Sequence, residues 1–138
     1  MLEHAIIFSK ESQSIILTSL YGEVDPKADA FKDSLEKIRE IAVKLEKGVF
    51  KLDLANNGKT MIVAIKNLSI AITFNKIAKE EVMNFWESVA LEILKSFDKI
   101  YVTKDPAKIL AFKDTMDEII QWNLKEQSPI DKMKEAFW

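Results

Sequence analysis

The chain has 138 residues, 48% hydrophobic and 30% charged, with only three Gly and three Pro. That balance suits one compact domain with its own core and excludes the disordered and fibrous classes. The net charge is −2 and the pI near 5.5, so no electrostatic footprint for nucleic acid stands out.

Nineteen of the twenty basic residues are lysines, and Arg39 is the lone arginine. Bidentate recognition of phosphate or carboxylate leans on Arg, so this composition argues against phosphate-centred chemistry. The absence of Cys excludes disulfides, thiolate zinc sites and a Cys nucleophile. The start, Met1 to Ala5, lacks the basic and apolar regions of a signal peptide. No apolar run approaches the roughly 20 residues that span a bilayer. A soluble, cytoplasmic protein without a transmembrane segment is the expectation.

Residues 4–8 (HAIIF) and 14–21 (SIILTSLY) are rich in β-branched side chains and flank the polar SKESQ, which predicts a hairpin. Asp25-Pro26 then reads as a cap and first residue of a helix. Phe31, Leu35, Ile38, Ala42 and Leu45 follow at spacings of 4, 3, 4 and 3, an amphipathic stripe with Ile41 at its edge. Gly48 stands where a left-handed residue would close that helix.

Residues 49–54 (VFKLDL) alternate strictly, with Val49, Lys51 and Asp53 opposite Phe50, Leu52 and Leu54. This is the one strand with a plainly polar side, and it is expected at a sheet edge. Asn57-Gly58 signals a tight turn, residues 59–65 a fourth strand, Lys66-Asn67 a second turn and residues 68–74 a fifth strand.

Residues 78–98 carry Val82, Trp86, Val89, Ala90, Ile93 and Phe97 on one helical face, with Glu80 and Glu81 in the first turn, where they complement the helix dipole. A short extended piece, IYVT, is expected before Asp105-Pro106 starts the next helix. That helix reaches about Glu126, with Ile109, Phe112, Met116, Ile119, Ile120 and Leu124 facing inward. Ser128-Pro129 opens a last short helix bearing Ile130, Met133 and Phe137. The division is therefore one domain over 1–126 and a helical tail over 127–138.

Strands 14–20, 59–65 and 68–74 are near-continuous apolar runs, the pattern of a sheet covered on both faces. The expected fold is α/β of the α+β kind: a three-layer α/β/α sandwich. Its five-stranded sheet is mostly antiparallel, in the order β-β-α-β-β-β-α-α.

A hairpin, one long crossing helix, a three-stranded meander and C-terminal helices resemble the profilin-like layout of longin and roadblock domains. The opening HAIIFSKESQSIILTSLYG resembles the first hairpin of longin and small adaptor-subunit domains. Roadblock domains usually begin with a helix, so this chain sits nearer the longin order. The resemblance implies a non-enzymatic interaction module, often a homodimer, whose partner is a small GTPase or a trafficking or polarity assembly. PAS and GAF sensors share a related sheet but place several short helices where this chain has one long one. A small-molecule sensor is the alternative.

Chemistry is sparse. His4 is the single histidine, so neither an HxH nor an HExxH metal site can form, and no GxSxG elbow accompanies it. Gly22, Gly48 and Gly58 are isolated, which rules out a P-loop or GxGxxG turn. The carboxylates Glu23, Asp25, Asp29, Asp33, Glu36 and Glu40 interleave with Lys27, Lys32 and Lys37 and read as a solvated helix side. Catalytic, cofactor and metal residues are therefore expected to be none.

Two features invite a partner. Trp122 falls about 120° from its helix's apolar stripe, and the sequence ends in Ala136-Phe137-Trp138, aromatics that either cover one of the chain's own helices or meet a partner. With the edge strand's Phe50, Leu52 and Leu54, the aromatics Trp122, Phe137 and Trp138 are the expected interface.

Overall fold

A computed structural model describes residues 2–21, 27–53, 58–74 and 80–137, with side chains described as far as residue 125. Among these residues are five strands: β1 (Leu2–Ser9), β2 (Ser14–Leu20), β3 (Gly48–Asp53), β4 (Lys59–Ala64) and β5 (Leu68–Phe74). Three helices join them: α1 (Asp29–Lys44), α2 (Glu80–Tyr101) and α3 (Pro106–Phe137). The strands form one sheet in the order β2-β1-β5-β4-β3, and every neighbouring pair is antiparallel.

The register aligns side chains into rows that cross all five strands. Leu20, His4, Thr73, Thr60 and Leu52 stand side by side, and so do Thr18, Ile6, Ala71, Ile62 and Phe50. Their neighbours in the chain form rows on the opposite face, such as Leu17, Ile7, Ile70, Val63 and Val49. Successive side chains of a strand point to opposite faces, so each face gathers its own core.

One cluster joins Ile6, Phe8, Ile62 and Ala71 to Ile38 and Ala42 of α1. The other joins Ile7, Met61, Val63, Ile70 and Ile72 to Trp86, Ile93 and Phe97 of α2 and to Phe112, Met116 and Ile120 of α3. Phe97 and Phe112 bind the two helices together, with ring centroids 5.0 Å apart.

The β1–β2 hairpin closes through Gln13 at φ 54, and a bulge at Ile7/Phe8 leaves Ile16 without a direct partner. The Ile65 N–H donates to the Leu68 carbonyl across Lys66-Asn67, the turn read from the sequence. Asp105 caps α3 as expected: its carboxylate accepts from the Ala107 and Lys108 N–H groups at 3.0 and 3.4 Å. Edge strand β3 is also where its alternation put it.

Other expectations are corrected. Helix α1 begins at Asp29, after an extended Ala28 that makes no side-chain cap. Pro26 is therefore not its first residue, and Asp25 and Pro26 lie outside the described residues, as does Asn57. Gly48 does take a positive φ, 116°, but as the first residue of β3; an extended Leu45 ends α1.

The IYVT segment is not extended. Helix α2 continues to Tyr101, whose ring packs on Phe97 one turn earlier and whose hydroxyl donates to Ser9 Oγ at 3.3 Å. The turn after it closes at Lys104, φ 54, through Lys104 N–H to the Tyr101 carbonyl.

Ser128-Pro129 opens no new helix, because α3 runs unbroken to Phe137. Pro129 is thus a helix-interior proline, which costs one hydrogen bond and a clash with the carbonyl four residues back, about 3 kcal/mol. Finally, β2 is not covered on both faces: it is the second edge, and Ile15 and Leu20 are exposed.

Candidate functional site

Coverage of the sheet decides which surface is available. Five strands about 4.8 Å apart make a sheet roughly 19 Å wide, while one helix is about 10 Å across. Among the described residues, α1 is the one helix that contributes buried side chains to the cluster at Ile6, Phe8, Ile62 and Ala71, and that face keeps exposed margins. On β2, Leu20 is 40% exposed, and on β3, Phe50 is 41% exposed. On the other face α3 reaches β2, yet Val49 of β3 is still 38% exposed. Strand β3 is thus open along its edge and on both sides.

Of the expected interface residues, Phe50 is exposed and Leu52, on the same side of β3, is half-buried against the α1 cluster. Trp122 is 64% exposed on α3, in keeping with its angle off the apolar stripe. Leu54 and Trp138, and the side chain of Phe137, lie outside the described residues.

The structure does not bring Trp122 to the strand that carries Phe50. Asp117, five residues before Trp122 and so about 8 Å along the helix axis, is tied to β2, at the opposite edge of the sheet. Val49 is exposed on the side of β3 that it shares with Lys51 and Asp53, as the alternation placed it, whereas Ile15 and Leu20 are exposed on a strand expected to be covered on both faces. Leu20 gave no local signal; its exposure follows from its strand's place in the sheet.

Asp117 holds the β2 edge. Its Oδ1 accepts from the Ser19 hydroxyl and the Tyr21 hydroxyl, each at 2.6 Å. Burial, then the Asp117 carboxylate, raises the Tyr21 phenol above its usual range. A phenol kept protonated and engaged in this way is an anchor, not a base.

His4 sits on central strand β1, 2% exposed, with its ring edge-on to Phe31 of α1 at 5.4 Å. Its Nδ1 has no hydrogen-bond partner among the described residues, and burial lowers its pKa from 6.5 to about 4. Beside it in the row, Thr73 and Thr60 satisfy each other through their hydroxyls at 2.7 Å. No carboxylate or nucleophile joins the imidazole in these contacts. Among the described residues no three His, Asp or Glu converge to hold a metal ion.

No helix among the described residues is long and apolar enough to cross a membrane. A scan against models of known protein families finds no match, and no curated protein matches the chain.

Proposed function

We propose that the chain is a non-enzymatic protein-interaction module of the longin or roadblock kind, with the profilin-like three-layer α/β/α arrangement that its element order suggests. In this reading it pairs with a second copy or with a protein partner, a small GTPase or a trafficking-type assembly, through strand β3. The observation that carries the reading is an edge strand with exposed apolar residues on both sides, Val49 at 38% and Phe50 at 41%. Unpaired strand edges are templates for another chain, and natural proteins leave them open where they are used.

Sedimentation and light scattering over a concentration series test it, with Phe50→Asp as the comparison. The wild type is expected to dimerise, or to bind a nucleotide-loaded small GTPase, while Phe50→Asp keeps its circular dichroism and loses the association. A wild type that stays monomeric at about 1 mM, which limits self-association to less than about 4 kcal/mol, and captures no GTPase refutes the reading.

A further inference from the structure

Three connections meet at one end of the sheet: the β1–β2 turn, the β4–β5 turn and the link from α1 to β3. Lys10 joins them. Its backbone N–H donates to the Asn67 carbonyl at 3.0 Å, and its ammonium donates to the carbonyls of Ile65, at 3.1 Å, and Glu46. An ammonium has three N–H donors, so one remains once both carbonyls are served.

Around this group lies an open cavity of about 490 Å³ lined by Lys10, Glu46, Lys47 and Lys66. Three lysines and one glutamate line it, on a chain whose net charge is −2. Ion pairs join Arg39 to Glu36 and Lys59 to Asp53, and none joins Lys10, Lys47 or Lys66 to a carboxylate among the described residues.

We propose that this cavity is an anion site for the phosphate group of a small molecule or lipid headgroup. The proposal is independent of pairing through β3. The recess is open to solvent, so it would hold an anion by charge and hydrogen bonds and not by enclosure. Lysine binds phosphate as a point charge from a flexible stem, without the planar fork that makes Arg the bidentate choice. Lys10 is held in place by two carbonyls and supplies a fixed donor, while Lys47 and Lys66, on two different connections, close on the anion from either side. The scarcity of Arg speaks against a bidentate clamp and leaves this geometry untouched.

The test is titration of the full chain with inorganic pyrophosphate, followed by backbone amide NMR. Saturable shifts confined to residues 10, 46–47 and 65–67 are expected, weakened at least tenfold in the double variant Lys47→Ala, Lys66→Ala. Both replaced residues are on the surface, so the variant's unchanged amide spectrum elsewhere verifies its fold. Co-sedimentation with vesicles containing a phosphorylated inositol lipid identifies the source. Binding that needs Lys47 and Lys66 assigns a headgroup, and its absence beside saturable pyrophosphate binding assigns a soluble ligand. Shifts that do not saturate, that spread over other lysine-bearing surfaces, or that survive in the double variant overturn the proposal.

Discussion

Acidification from pH 7 to pH 4 removes a definite amount of stability through one residue, His4. Its imidazole is buried between β1 and Phe31 of α1, with Nδ1 unpartnered, and burial holds its folded-state pKa at about 4 against 6.5 for a free imidazole. Above pH 6.5 the ring is neutral in both states and contributes nothing to the pH dependence. Between 6.5 and about 4 the unfolded chain takes up a proton that the folded chain refuses, so stability falls as pH falls. Below about 4 both states are protonated and the loss is constant. A gap of about 2.5 pH units at about 1.36 kcal/mol each gives a loss of about 3 kcal/mol, a large part of the 5–15 kcal/mol typical of a domain.

Urea unfolding of the wild type and of His4→Leu at several pH values isolates the effect, since carboxylate titration is common to both. The wild type should lose about 3 kcal/mol more than the variant between pH 7 and 4. At pH 7 the variant should be at least as stable, because it no longer buries an unpaired polar atom, at a cost of about 1–3 kcal/mol. With a single histidine in the chain, the imidazole proton resonances report its pKa without ambiguity. A midpoint between 6 and 7, or parallel stability curves for the two proteins, would refute the reasoning.

Asp117→Ala deprives the Ser19 and Tyr21 hydroxyls of their shared acceptor. It should lower stability by about 2 kcal/mol, seen as a lower urea midpoint at unchanged slope. Ala71 is fully buried on the central strand β5, in the cluster with Ile38 and Ala42 of α1. Ala71→Leu should cost about 1–3 kcal/mol and speed hydrogen exchange in α1 more than in α2, while an equal increase in both helices would contradict it.

Signals completed within a few residues were legible in the sequence. Asp105-Pro106 starts α3 because the cap needs only the carboxylate and the two following N–H groups. Lys66-Asn67 turns the chain because two apolar runs leave it two residues in which to do so. The alternation of β3 marked an edge, since a buried strand could not carry Lys51 and Asp53 on one side. Local reading failed where a distant group decided the outcome. Tyr101 stays helical with its hydroxyl on Ser9, far back in the chain.

The candidate surface divides in the same way. Apolar periodicity determined which residues could face a core, and it placed Trp122 off the stripe, where it is 64% exposed. It could not determine that Leu20 lacks cover, because cover depends on how many helices lie on each face and how far they reach. Nor could it gather Lys10, Lys47 and Lys66, which lie on three separate connections and meet only when the sheet closes. Periodicity is a property of one element, whereas neighbours across a sheet are set by strand order and register, and only the tertiary structure decides those.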